Sequence, residues 1–365
     1  MYSLNEKIII WLDVFEFLTV EKRHQILACY EEPRLIFDTF KNDYEMFSNV
    51  LTLEQFNKMS SSLNLEFIEN HIVNLEREDI KILTYMTQGY PKDFVNYYGF
   101  PLVLYCKGDV SLIDTISVGV VGTRKISRYG HDATKKLVQG LVDNNITVVS
   151  GMANGVDTVA HTTALEMGGK TIAVIGSGFH EIYPKSNFEL FNRIVEKGLV
   201  ITEYLPSMPA LPQNFPVRNR IIAMLSKGVL MTEAGLKSGA HYTINYAIEY
   251  GKEIFVVPGN IDSYSSQGCN QVLKKFNSSL TTCVEDILNV LQIENHSQKQ
   301  TLSYQISMEE QQVLNAIGDN EVSFDEIVSQ TKYDTKTCVR LLTTLELNGL
   351  IKKSMGNFYS KVVID

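Results

Sequence analysis

The sequence predicts an α/β protein built on a doubly wound parallel sheet, with a small helical domain before it and a winged-helix domain after it. Three observations carry this. Residues 116 to about 290 alternate short β-branched apolar runs with amphipathic stretches, the pattern of a parallel sheet covered on both faces. Residues 1–75 repeat apolar positions at helical spacing. Residues 307–361 carry three helical patterns followed by a short hairpin pattern.

Taken in order, Ile8, Ile9, Leu12 and Phe15, then Ile26, Leu27 and Tyr30, then Leu53, Phe56, Met59 and Leu63 mark short helices, expected to form a small SAM/HhH-like domain over 1–75. An extended lead-in over 76–115 ends in the stretch Gly99-Phe100-Pro101-Leu102-Val103-Leu104-Tyr105-Cys106-Lys107-Gly108. Strands are expected near 116–121, 146–150, 170–175, 199–203, 228–232 and 253–257. Helices are expected near 129–142, 155–167, 187–197, 217–226, 239–250 and 268–276. The lead-in and these elements make one Rossmann-like doubly wound domain over 76–290. A polar, aperiodic linker is expected at 291–303. The winged helix-turn-helix domain, 304–365, has helices at Met308–Ile317, Phe324–Gln330 and Thr335–Leu347, then a hairpin through Lys352 and Lys353.

The chain has 365 residues and a formal net charge of −9, which argues against a protein that simply coats nucleic acid. The charge is uneven, however. Residues 1–100 hold 9 basic against 16 acidic side chains, residues 101–290 hold 17 against 16, and residues 291–365 hold 7 against 10. The middle segment is therefore where a polyanion would dock. Cys29, Cys106, Cys269, Cys283 and Cys338 are scattered with no C-x-x-C pair, and the histidines lack metal spacing, so neither a disulfide framework nor a metal or cofactor site is expected. The early apolar run is broken by Asp13 and Glu16. Neither a signal peptide nor a membrane span is expected, and a cytoplasmic location is.

The densest signal is Asn214-Phe215-Pro216-Val217-Arg218-Asn219-Arg220-Ile221-Ile222. Two guanidinium groups at an expected helix start suit phosphate, and the ring of Phe215 offers a base a stacking surface. The alternative is that Arg218 and Arg220 pair with carboxylates at the core edge. A second signal is the strand Ile116–Val121 running into Gly122-Thr123-Arg124-Lys125, with Arg128 one turn further on. Further loops at strand ends carry Ser150, Gly151, Asn154 and Gly155, then Gly176 and Gly178, then Lys237, Ser238 and Gly239. All of these lie on the sheet edge where open parallel sheets bind ligands, and together they make a candidate phosphate-tracking surface. Glu233 is expected to pair with Arg124 or Arg220. Asp157 and His161 are expected to be an N-terminal acid and a satisfied histidine rather than a base and its orienter.

Two motifs mislead. Residues 164–171 nearly spell a Walker A loop, but the order there is helix, loop, strand, the reverse of a phosphate-binding loop. Gly119 and Gly122 do not complete a dinucleotide fingerprint, and no acidic residue closes the second strand. With no paired-carboxylate or metal constellation, binding is favoured over catalysis.

The stretches V-G-T-R-K (121–125), S-G-M-A-N-G-V-D-T-V-A-H (150–161), A-V-I-G-S-G (173–178) with I-Y-P (182–184), N-F-P-V-R-N-R-I-I-A (214–223), T-E-A-G-L-K-S-G-A (232–240) and V-P-G-N-I-D (257–262) with G-C-N (268–270) occur in this order. The chain thereby resembles the DNA-processing protein A family (DprA, also called Smf) over roughly 90–285. The resemblance implies a cytoplasmic single-stranded DNA-binding protein of natural transformation. Such a protein dimerises through the Rossmann-like domain, protects incoming strands and helps to load the RecA recombinase. It implies that Arg124 contacts DNA and that Phe215, Arg218, Asn219 and Arg220 belong to a second contact loop. Pro212 departs from the pattern, because some members have a lysine there, and Lys185 or Lys237 is the expected substitute. Thr123 stands where serine is usual. For the winged helix, with Lys336 and Arg340 on an acidic unit, a protein-contact or structural role is expected over duplex binding. Two other readings stay open: a nucleoside-monophosphate phosphoribohydrolase, whose P-G-G-x-G-T-x-x-E loop is not matched at Thr232–Gly239, and a nucleotide sensor with a winged-helix output.

Overall fold

Ser3 opens the first helix with a capping box, its hydroxyl accepting from the Glu6 N–H while the Glu6 carboxylate accepts from the Ser3 N–H. The helix that follows, α1 (Leu4–Asp13), is buried from Ile8 to Asp13. A helix apolar on every side becomes the axis of a bundle rather than part of its surface. Around it lie α2 (Val20–Ala28), α3 (Leu35–Thr39), α4 (Tyr44–Phe47), α5 (Leu53–Ser62) and α6 (Leu65–Arg77). Trp11 meets Phe15 and Phe40 edge to face at 5.4 and 5.5 Å and donates its Nε1–H to Ser62 Oγ at 3.1 Å.

The computed structural model describes residues 2–295, 306–318, 321–354 and 356–361. It divides into two units, Met1–Ser297 and Gln298–Asp365. Of the linker expected at 291–303, residues 296–303 lie outside the described residues.

The first unit holds a nine-stranded sheet. Its strands are β1 (Lys81–Thr84), β2 (Val103–Gly108), β3 (Ser117–Val121), β4 (Thr147–Ser150), β5 (Thr171–Val174), β6 (Leu199–Thr202), β7 (Gly228–Met231), β8 (Glu253–Val256) and β9 (Ser279–Leu280), in the spatial order β1-β2-β6-β5-β4-β3-β7-β8-β9. The strands expected from 116 to 257 are present and parallel. The lead-in contributes more than an extended segment: β1 pairs antiparallel with β2, and β2 antiparallel with β6. Its apolar run Leu102 to Cys106 is buried throughout, which is what makes it a sheet strand.

Between the strands run α7 (Arg128–Asp143), α8 (Val156–Glu166), α9 (Phe188–Lys197), α10 (Asn214–Leu225), α11 (Ala240–Glu249), α12 (Gln267–Lys275) and α13 (Val284–Leu291). Val118 and Val120 of β3 pack with Leu137, Val138 and Ala160 of α7 and α8, while Val121 packs with Ile221 and Ile222 of α10. The strand alternation thus feeds two separate cores, one on each face. The N-terminal bundle joins the sheet through a third core that runs from Trp11 to Tyr105 and Val200. At that junction Asp13 is buried, takes an ion pair from Arg23 at 2.8 Å and accepts from the Tyr105 hydroxyl at 2.8 Å. Among the described residues no helix is long and apolar enough to cross a membrane.

The second unit is built from α14 (Met308–Ile317), α15 (Phe324–Thr331) and α16 (Thr335–Leu347), closed by β10 (Val322–Ser323), β11 (Ile351–Ser354) and β12 (Phe358–Lys361). Capping boxes at Ser307 and Ser323 start the first two helices, and Asp334 caps the third. Ile317, Ile327 and Leu345 are fully buried in its own core. Arg340 on α16 is tied to Glu309 at 3.1 Å rather than left free.

Candidate nucleic-acid interface

From β3 the chain runs outward through β4, β5 and β6, then returns to β7 on the other flank of β3. The strand order therefore reverses between β3 and β7. Open α/β sheets have their ligand crevice outside the carboxyl ends of the strands at such a reversal. A cavity of about 820 Å³ opens at that place, bordered by Gly122 to Lys125 after β3 and by Lys237 to Ala240 after β7, with Phe215 of α10 between them.

The loop after β3 is tightly built. The Thr123 N–H donates to the Glu233 carbonyl at 2.7 Å, and the Ser127 N–H donates to the Glu233 carboxylate at 2.8 Å. Thr123 Oγ1 accepts from the Lys125 N–H at 3.2 Å, and the Thr123 carbonyl accepts from Val156 N–H at 3.1 Å. Gly155 has φ +83°, and a Cβ there would stand 2.2 Å from the Thr123 carbonyl, so only glycine lets this strand end lie against its neighbour. Arg124 and Lys125 project exposed from this fixed frame. Glu233 was expected to pair with Arg124 or Arg220. Instead it is 2 % exposed and, besides Ser127, accepts from Ser265 Oγ at 2.6 Å. The acid is used to staple the loop, not to neutralise its arginine.

Helix α10 begins at Asn214, three residues earlier than the expected 217. Pro216 falls in its first turn, where a missing N–H costs nothing. Arg218 and Arg220 are thereby moved from the helix start into its interior, and both are buried, at 3 % and 5 % exposure. Arg220 binds Glu203 at 2.6 Å, a carboxylate just past β6, and does not border the cavity. This is a correction: Arg220 offers no free guanidinium, because the buried charge needs its partner. Arg218 donates to the Gly151 carbonyl at 2.7 Å, to the Val174 carbonyl and, through Nε, to Asn219 Oδ1 at 3.1 Å. Burial pulls its pKa down to about 10, opposed mainly by Asp157.

The half-buried ring of Phe215 lies 5.7 Å from the Arg124 guanidinium and 5.9 Å from that of Arg218, within cation–π range. Gly176 forms its floor, since a Cβ there would stand 3.0 Å from the ring. Tyr183 meets it at 5.4 Å and is 47 % exposed. Tyr183 was not among the expected site residues, although its aromatic–proline pair in the I-Y-P stretch was the available signal. Tyr242 and Tyr264 also border the cavity and are more than half exposed.

The other expected residues divide. Lys237, Ser238 and Gly239 border the cavity together with Pro212, whereas Lys185 does not. Asn219 borders it too and reaches Gly239 O at 3.4 Å. Asn154 is exposed in a small adjoining recess with Arg124, Gly151 and Phe215, and its Oδ1 accepts from Ser186. Ser150, Gly178 and Asn214 do not face the opening. Ser150 Oγ donates to Val120 O at 2.7 Å, Asn214 is 8 % exposed, and Gly178 packs where a Cβ would meet the Leu205 and Pro206 carbonyls at 2.1 and 2.2 Å. These residues shape the loops rather than a ligand surface.

Asp157 and His161 do not hydrogen-bond to each other. Asp157 accepts from the Ala153 N–H at 3.2 Å; burial raises its pKa while Arg218 opposes the rise. Thr171 Oγ1 donates to Val148 O, so it accepts from His161 Nδ1–H at 2.7 Å, which fixes the tautomer. Burial, helped by Arg218, pulls the His161 pKa from 6.5 to about 3. The unfolded chain thus binds the extra proton first, and this group's stabilisation, full above pH 6.5, is lost as the pH falls towards about 3. His161→Gln is expected to flatten the stability–pH profile in that window by up to one proton, measured by urea unfolding at each pH; an unchanged slope contradicts it.

A family model described as DNA recombination-mediator protein A matches residues 81–292, and one described as DprA winged helix domain matches residues 298–357. The DNA processing protein DprA of Streptococcus pneumoniae is 42% identical over 199 residues, covering 54% of this chain and 70% of that one. Protein Smf of Escherichia coli is 32% identical over 317 residues, 84% of each chain. The solved structure of S. pneumoniae DprA superposes with a TM-score of 0.61 at 32% identity, over 79% of this chain and 98% of that one. The Helicobacter pylori protein, described for its single-stranded DNA binding mode, superposes at 0.53 and 32%, over 58% and 95%. The family model matched over residues 81–292, the matched winged helix and the likeness to a relative across most of both chains place this protein in the DNA processing protein A (DprA/Smf) family.

Proposed function

We propose that this chain binds single-stranded DNA in the cavity between the ends of β3 and β7 and acts as a DNA processing protein of natural transformation. In that role it shields incoming strands and passes them to the RecA recombinase, working in the cytoplasm as a homodimer formed through its Rossmann-like domain. The observation that carries this reading is the convergence of Arg124, Lys125 and Lys237 with the rings of Phe215 and Tyr183 on one cavity. Cations track a phosphate backbone, and aromatic faces accept any base. The family membership and the H. pylori relative's single-stranded DNA binding support it.

The way the carboxylates are used supports binding over chemistry. Asp157, which borders the cavity, is held by the Ala153 N–H and faces Arg218, and Glu233 staples a loop. A phosphoribohydrolase needs a carboxylate free to act on the sugar, so this reading is the weaker one.

Fluorescence anisotropy of labelled oligo-dT and of a matched duplex, at two salt concentrations, tests the proposal. Salt-sensitive binding with a clear preference for the single strand is expected, and duplex-only binding or none would refute it. Phe215→Leu is expected to weaken oligo-dT binding by about 1–3 kcal/mol while leaving the salt slope unchanged, because it removes stacking and no charge. Sedimentation of the free protein tests the homodimer, and RecA-dependent strand exchange on coated DNA tests the hand-over.

A further inference from the structure

Arg218 is the residue of the site whose sequence and structure disagree most. In sequence it belongs to an arginine pair suited to phosphate. In the fold its Nη1 is shared by the carbonyls of Gly151 and Val174, and its Nε is taken by Asn219. Those carbonyls lie just past β4 and at the end of β5, so one guanidinium fastens α10 across two neighbouring strand ends. The fit is close: a Cβ on Gly151 would lie 2.6 Å from Arg218 Nη2 and 2.9 Å from Asp157 Oδ2. The buried Asp157 balances the charge. Phe215 stands one turn earlier on the same helix, with its ring 5.9 Å from the guanidinium. Arg218 borders the cavity but is 3 % exposed, with its Nε and Nη1 already committed to Asn219 and the two main-chain carbonyls.

The geometry points to Arg218 as a positioning residue that holds Phe215 as a stacking platform and takes no phosphate itself. The backbone charge is left to the exposed cations Arg124, Lys125 and Lys237. This inference rests on the single-strand reading of the cavity and divides its labour: one arginine for the phosphates, the other for the ring.

The test is a double-mutant cycle of Arg218→Lys and Phe215→Leu, read against oligo-dT and against an abasic oligomer of equal length that offers phosphates alone. A lysine keeps the charge but lacks the planar fork that holds both carbonyls and Asn219 at once. The expected result is about tenfold weaker oligo-dT binding for Arg218→Lys with an unchanged salt slope. Abasic binding should stay within about twofold, and the change should add less than about twofold in the Phe215→Leu background. A loss of abasic binding equal to the loss on oligo-dT, a shallower slope or full additivity with Phe215→Leu would overturn the proposal. Should Arg218→Lys fail to fold, phenylglyoxal modification of the wild-type chain decides. Arg124 is expected to react and to be protected by oligo-dT, and Arg218 to stay unmodified with or without it. Reaction of Arg218 in the free protein, with protection by oligo-dT, would overturn the proposal. A wild-type chain that does not bind oligo-dT sinks the single-strand reading and this inference together; a wild-type chain that binds, with any of the contrary results above, sinks the inference alone.

Discussion

Glu203→Ala is expected to destabilise the first unit by about 3–5 kcal/mol, the largest effect of any single change considered. Glu203 and Arg220 are both nearly fully buried and meet through one bond of 2.6 Å. That bond joins Nη2 to Oε2, and Arg220 Nη1 and Glu203 Oε1 have no hydrogen-bond partner. Taking two charges out of water costs heavily, and their mutual attraction is what offsets that cost. Removing the carboxylate leaves the guanidinium desolvated and alone beneath α10. Urea unfolding reads the loss directly. The double variant Glu203→Leu/Arg220→Met should recover most of it, because an apolar pair of similar volume needs no compensation. That double variant should also bind oligo-dT nearly as wild type does. A large, selective loss of DNA binding in it, with the fold intact, would restore Arg220 to the contact surface.

Arg124→Ala is expected to weaken single-strand binding by about 1–3 kcal/mol and to make the salt dependence shallower by about 0.7 in the logarithmic slope, the share of one phosphate contact on a single strand. The reasons are local. Arg124 is exposed, its loop is held at Thr123 and Ser127 by Glu233, and its guanidinium already lies against Phe215. Little ordering entropy is left to lose on binding, so its contact is expressed almost in full. Thermal melting should be unchanged, since nothing buried depends on this side chain. Wild-type affinity in this variant would mean that the loop after β3 is not the site.

The parallel sheet was legible because each central strand is a continuous β-branched run buried on both faces, such as Ser117–Val121 and Thr147–Ser150. The first two strands were not. They sit at an antiparallel edge, separated by residues 85–102, a long connection ending near Gly99-Phe100-Pro101 that reads as irregular chain. The loop cluster at one sheet edge was legible from its glycines, serines and arginines. What each arginine does was not, because Glu203 lies 17 residues from Arg220 on a different element and burial leaves no mark on residue type. The early start of α10 was missed for a related reason: Pro216 reads as a boundary, although the first turn of a helix accepts it. Tyr183 came into the site only through the fold, brought beside Phe215 by the loop after β5.

The stapling of the β3 loop by Glu233 has a consequence for synthesis. Arg124 and Lys125 leave the ribosome more than a hundred residues before the acid that fastens their loop, and the order of emergence follows the order of the chain. Until β7 has been translated and docked beside β3, those two cations hang from a strand end with neither of the Glu233 bonds that hold it. A growing polypeptide therefore acquires its basic side chains early and their fixed arrangement late, in one step, when the second half of the sheet arrives. Nascent chains arrested before residue 233 carry Arg124 and Lys125 without the frame that fixes them, and still lack Lys237.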